Sequence, residues 1–259
     1  MRKPILCLPL ILGLAACGTV QETQRTQFIL PILTDDYMAQ LGAASYAEAT
    51  SGYPVVTSGA DAAMVQRVGR RIAAASGRDY QWEFKLLEAP EVANAFCLPG
   101  GKIAVFSGLL RVTQTEDALA IVVGHEVAHA TSRHGAERMS QGLLADMILA
   151  GGAELLDQTK WEQDTKELVL DALGVAATVG GLLPYSRKHE SEADEIGLRF
   201  AIRAGYDPEA APALWERMAA LGDQEPEFLS THPDPQKRAQ RLRELIPQIV
   251  ADERAKAGR

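Results

Sequence analysis

Residues 122–134, VVGHEVAHATSRH, place three of the chain's five histidines and one glutamate inside an apolar run. His125 and His129 are four apart, which on an α-helix stacks both imidazoles on one face about one turn apart. Val122, Val123, Val127 and Ala128 fill the remaining directions, so the helix is a buried one. Two imidazoles and a carboxylate are costly in a core unless partners satisfy them. A metal ion satisfies all three at once. H-E-x-x-H is the pattern in which two neutral imidazoles hold zinc while the glutamate, here Glu126, works on water.

A catalytic zinc takes a third protein ligand and keeps one position open. His134 is a poor candidate, because five residues after His129 it lies about 140° around a continuing helix. Nor does it complete the longer three-histidine motif, since Ser132 and Gly135 stand where that motif has glycine and histidine. It is expected as a polar residue near the helix end. Glu190 and Asp194 are better placed: four apart on a helix, they leave one carboxylate for the metal and one to orient a ligand histidine. Glu192 points about 200° away from Glu190 and is expected to be solvated or paired with an arginine. His189 is expected at the surface or behind the ligands, and Glu154 is the spare acid.

The rest of the chain bounds these ideas. Its 259 residues, 47% hydrophobic and 23% charged, are enough for one sizeable core. A net charge of −8 without a basic cluster argues against nucleic acid as a partner. At the start, MRKPILCLPLILGLAAC has basic residues, an apolar stretch and then small residues before Cys17. The apolar stretch is shorter than the roughly 20 residues that span a bilayer, so it reads as a secretory leader. Leu14-Ala15-Ala16-Cys17 also resembles a bacterial lipobox, which would make Cys17 a lipidated N-terminus. The alternative is an ordinary leader with an incidental cysteine. By resemblance to bacterial lipoproteins, Gly18 directs sorting to the outer membrane, facing the periplasm. Residues 1–16 are then the signal peptide, 17–36 the lipidated N-terminus and tether, and 37–259 one domain. Cys97 remains the only free thiol, so no intramolecular disulfide is expected.

Along that domain, Met64, Val65, Val68 and Ile72 recur at helical spacing. YQWEFKLLE at 80–88, VANAFCL at 92–98 and KIAVFSG at 102–108 read as strands, the last two joined by Pro99-Gly100-Gly101. A helix follows Thr115, another follows Asp207-Pro208, and a charged one begins near Pro235. The apolar stretch 168–183 contains Asp171 and three glycines, which favours a buried or groove-covering helix over a membrane span. The class is α+β, predominantly helical, with a small antiparallel sheet.

HEVAH at 125–129 with E-S-E-A-D at 190–194, NAFCLPGGKIAVFSGLL at 94–110 and THPDPQKRAQRL at 231–242 resemble, in that order, the HtpX-like and CAAX-prenyl-protease superfamily of zinc metallopeptidases. The resemblance covers about residues 50 to 245, and it is strongest to periplasmic lipoprotein members. It implies a zincin-like domain with one zinc per chain, held by His125, His129 and Glu190, with Asp194 supporting a ligand histidine. It also places His232 and Arg238 beside the metal as catalytic donors to the transition-state oxyanion, with His232 alternatively the occupant of the open position. The strand around Asn94, Ala95 and Phe96 is expected to bind extended substrate along the sheet edge. The implied function is endopeptidase quality control of unfolded or misassembled envelope proteins, alongside envelope protease or assembly-machinery partners. The alternative is a lipoprotein that binds or chaperones outer-membrane clients, with proteolysis latent or secondary.

Overall fold

The computed structural model describes residues 17–144, 186–221, 227–232 and 234–258. The leader, Glu154 and the stretch 168–183 lie outside these residues. The chain opens with a hairpin of β1 (Cys17–Thr19) and β2 (Thr26–Phe28), followed by α1 (Asp35–Thr50), β3 (Val55–Val56) and α2 (Ala60–Ser76). Next come β4 (Glu83–Leu87), β5 (Ala95–Leu98), β6 (Lys102–Phe106), α3 (Ser107–Thr113) and α4 (Glu116–Thr131). A further helix, α5, covers 134–144. Beyond it lie α6 (Arg187–Arg203), α7 (Ala210–Ala220), the short α8 (Glu227–Thr231) and α9 (Pro235–Ala257). The predominantly helical α+β class is as the sequence reads.

The sheet differs from the expected antiparallel one. Its order is β3-β4-β6-β5, with β3–β4 and β5–β6 antiparallel but β4–β6 parallel. The β5–β6 hairpin turns at Gly100 and Gly101, both at positive φ, which glycine adopts without steric cost. β6, not β5, then inserts beside β4. This leaves β5 at the sheet's edge, lying over α4, with Ala95 and Cys97 turned into the core.

Residues 17–36 also differ from the tether expected of them. Val20, Ile29 and Leu33 are buried, and the hairpin's charged residues are tied down by Arg203, Glu137 and Glu192. Three apolar residues so widely spaced carry no periodic signal, and their partners lie far along the chain.

α4 is the axis of the fold. Thr115 caps it, its hydroxyl accepting from Ala118 N–H at 3.1 Å, and Glu116 and Asp117 occupy the positive end of its dipole. From Ala118 to Thr131 every residue is buried, as befits a helix that is apolar all round. α6 crosses it at Gly124 and Gly197. A Cβ on Gly197 would stand 2.6 Å from the His125 nitrogen, and one on Gly124 would stand 2.7 Å from the Gly197 oxygen. Both obstacles are backbone, so neither yields to a rotamer change. Gly197→Ala should therefore destabilise the domain by about 1–3 kcal/mol, the range for overpacked cores. A urea midpoint equal to that of the wild type would refute this close crossing.

Candidate metal centre

The α4–α6 crossing brings His125 and His129 against the first turn of α6, where Ser186 caps the helix by accepting from His189 N–H. Glu190 Oε1 lies 3.3 Å from His129 Nε2, and Glu190 Oε2 lies 3.4 Å from His125 Nε2. His232, just beyond α8, enters from the other side. Its Nδ1 is 3.0 Å from each Glu190 oxygen and 3.2 Å from His125 Nε2. One ligand atom from each of His125, His129, Glu190 and His232 lies within 4.8 Å of the others, and all four residues are buried.

The donor chemistry shows that this set fits a divalent cation. His125 Nδ1 faces Asp194 Oδ1 at 3.1 Å, and His129 Nδ1 faces His134 Nδ1 at 2.9 Å. A proton on each Nδ1 satisfies those contacts. The two Nε2 lone pairs then point at each other across 3.0 Å, beside a buried carboxylate. Lone pairs so arranged repel unless positive charge, a proton or a metal ion, lies between them. The pocket attracts positive charge: although burial opposes ionisation, the surrounding histidines hold Glu190 far below the usual carboxylate range. Burial and Arg238 push the His125 imidazole down, but Glu190 and Asp194 outweigh them and lift it to about 9. Burial holds His129 well below the usual imidazole range. Nitrogen and oxygen donors in this number suit zinc.

Glu126 stands beside the cluster. Its Oε2 accepts from Cys97 N–H at 3.3 Å, so the edge strand helps to orient it. Its Oε1 is buried and makes no hydrogen bond, although His232 Nε2 lies 3.3 Å away. Burial raises its proton affinity, and the charge of Glu190 adds to the effect. Arg238, on α9, lies over the Trp215 ring at 3.5 Å. Its Nε is 2.9 Å from Asp194 Oδ2 and its Nη1 is 2.9 Å from Glu190 Oε2. Asn94 precedes β5, and its side chain accepts from Ala95 N–H. Phe96 turns away from α4 to pack near Tyr46 and Phe106, so the strand meets the site through its main chain. A cavity of about 190 Å³ adjoins His129, lined by Met38, Leu41, Tyr80, Leu98 and Met139. Cys17 begins β1.

His134 is placed otherwise than the sequence reading has it, and Glu192 and His189 each take one of the two places offered. α4 does not continue past Thr131: Arg133 takes a left-handed φ of 58°, and α5 starts at once with His134. That break swings His134 back onto His129 instead of around the helix, and it is fully buried. Glu192 is also buried, receiving His134 Nε2 at 2.9 Å and Arg25 Nε at 2.6 Å. Of the two expected places, solvent or an arginine partner, it takes the arginine. His189 is buried too, 3.1 Å from Glu137 Oε2. The signal for His134 was the breaker-rich Thr-Ser-Arg-His-Gly after the apolar run.

Comparison with known proteins agrees with this arrangement. Residues 60–246 match the profile of Peptidase family M48. Mitochondrial metalloendopeptidase OMA1 of Schizosaccharomyces pombe is 41% identical over 188 residues, covering 71% of this chain and 52% of the relative. The OMA1 of Arabidopsis thaliana is 39% identical over 168 residues, covering 62% and 31%. The beta-barrel assembly-enhancing protease of Escherichia coli is 32% identical over 179 residues, covering 65% and 36%. The chain thus spans between about a third and a half of the length of these relatives. The matched span contains the metal cluster, Glu126 and Arg238, and on it the chain belongs to Peptidase family M48.

Proposed function

We propose that this chain is a zinc-dependent endopeptidase, lipid-anchored to the bacterial outer membrane and facing the periplasm, that cleaves unfolded or misassembled envelope proteins. The observation that carries the chemistry is Glu126 Oε1, a buried carboxylate oxygen without a hydrogen bond beside a three-histidine, one-glutamate cluster. When bound there, zinc supplies Lewis acidity toward water and the scissile carbonyl. His125, His129 and Glu190 hold it. Asp194 fixes the His125 tautomer, and Arg238 holds Asp194 and Glu190 in place from behind.

Glu126 Oε1 takes a proton from the attacking water and later returns it to the leaving amine, while Oε2 stays anchored on Cys97 N–H. Among the described residues β5 pairs with β6 alone, so its other edge can meet an extended peptide. Such binding reads backbone and not side chains, which suits unfolded clients. The name of the Escherichia coli relative supports a link to β-barrel assembly. The mitochondrial relatives support the endopeptidase chemistry alone.

His232 favours a resting form of this enzyme. Its Nδ1 lies against Glu190 and His125 within the cluster and its Nε2 faces Glu126, so it stands where substrate and proton transfer need room. His232→Ala is expected to raise basal casein cleavage with zinc retained. Slower turnover with zinc retained would assign it instead as a transition-state donor. A latent site is also the feature that favours the second reading, a client-binding lipoprotein with secondary proteolysis. Digestion of an unfolded outer-membrane protein by the full chain, compared with Glu126→Gln, separates the two: binding without cleavage would support the second.

The Leu14-Ala15-Ala16-Cys17 motif supports an anchor through lipid on Cys17; among the described residues no helix is long and apolar enough to cross a membrane. Cys17→Ala should leave the domain folded yet release it from the membrane fraction. A variant that still sediments with membranes after a high-salt wash would refute the lipid anchor.

A further inference from the structure

Behind each ligand histidine of α4 a line of side chains runs through a carboxylate to an arginine. Behind His125 stand Asp194 and Arg238. Behind His129 the line is longer and leaves the core of the fold. His129 Nδ1 meets His134 Nδ1 at 2.9 Å, and His134 Nε2 meets Glu192 Oε2 at 2.9 Å. Glu192 in turn accepts from Arg25 Nε at 2.6 Å and from the Thr23 hydroxyl. Arg25 also grips Glu137 with both terminal nitrogens, at 3.0 and 2.7 Å, the fork geometry that makes a guanidinium a rigid support. Thr23 and Arg25 belong to the hairpin that begins at Cys17.

The hydrogen bonds in this line have one consistent direction. Glu192 is an acceptor, so His134 Nε2 donates to it. The neutral His134 then presents a lone pair at Nδ1, which accepts from His129 Nδ1–H. That places the His129 lone pair on Nε2, among the ligand atoms. We propose that Arg25 is a positioning residue of the metal centre: docked from the N-terminal hairpin, it fixes Glu192, through which His134 holds His129 in the tautomer and orientation that bind metal. Seating of the hairpin and readiness of the site are thereby coupled. This inference rests on the reading of His129 as a metal ligand.

A control is built into the same hairpin. Glu22 ties it down independently through a two-bond contact with Arg203 at 2.7 and 2.9 Å, remote from this line. The experiment measures zinc affinity of the full chain by chelator competition, together with the visible spectrum of the cobalt-substituted protein. It compares the wild type with Arg25→Gln, Glu192→Gln, His134→Leu, His134→Asn and Glu22→Gln. Loss of an outer partner of a ligand histidine weakens metal binding on the order of 10-fold or more. That loss and an altered cobalt spectrum are expected for Arg25→Gln, Glu192→Gln and His134→Leu. His134→Asn, whose amide oxygen still accepts from His129, should recover most of the affinity lost in His134→Leu. Glu22→Gln should stay within about twofold of the wild type, since it touches none of these partners. Equal zinc loss in Arg25→Gln and Glu22→Gln would overturn the proposal, because the hairpin would then act only through general stability. Wild-type affinity in Arg25→Gln would overturn it as well. A wild-type chain that binds no zinc would overturn the metal-centre reading itself and this inference with it, a result that no pattern among the variants can mimic.

Discussion

Glu126→Gln should retain its zinc and lose about 10²–10⁴-fold in kcat, the contribution typical of a positioned general base. The side chain keeps its shape, and its amide oxygen still accepts from Cys97 N–H as Oε2 does now. What disappears is the oxygen that takes a proton. Because Glu126 is outside the ligand set, the ion should be held as before. Neutralising Glu126 relieves its burial cost and its repulsion from Glu190 but also gives up its attraction to His232 and His125, so zinc content and folding are both measured in the variant. Parallel measurement of zinc content and casein cleavage checks this. A variant with half the wild-type rate would remove Glu126 from the chemistry, and a variant without zinc would make it a ligand.

Glu190→Gln is expected to fail in the opposite way, losing zinc and activity together. Glu190 faces both α4 imidazoles, His232 and Arg238 at 3.4 Å or less. Neutralising it takes the only negative charge out of the ligand set and leaves Arg238 with a poorer partner in a buried site. Breaking a buried charge pair costs about 3–5 kcal/mol. At about 1.4 kcal/mol per tenfold, that is on the order of 10²- to 4 × 10³-fold in zinc affinity. Chelator competition reads this directly. Affinity within threefold of the wild type would contradict the assignment of Glu190 as a ligand. The variant should also fall well below Glu192→Gln, whose effect passes through His134 and His129 instead of acting on the ion.

How much of this was legible in the sequence differs from residue to residue. His125, Glu126 and His129 are fixed by local spacing on one helix, and their burial follows from the valines around them. Glu190 was legible only as one of several acids until resemblance singled it out, because nothing in helical periodicity tells which carboxylate of α6 faces α4. The close approach at Gly124 and Gly197 makes that choice. His134 was misplaced because the rotation argument presumed an unbroken helix, and one left-handed residue, Arg133, invalidates it. Arg25 was hidden altogether. Its contacts with Glu137 and Glu192 cross 112 and 167 positions of chain, and a polar hairpin has no pattern that announces where it docks. The parallel pairing of β4 with β6 was equally out of reach, since strand order is set by packing between distant segments.

The central claim is that the cluster on α4, α6 and His232 is a zinc site. It is tested most directly by the zinc content of the purified full chain after dialysis against micromolar zinc and removal of the unbound ion. One zinc per chain is expected in the wild type and in Glu126→Gln, and almost none in Glu190→Gln. A wild-type content near zero, or an equal content in all three, would contradict it.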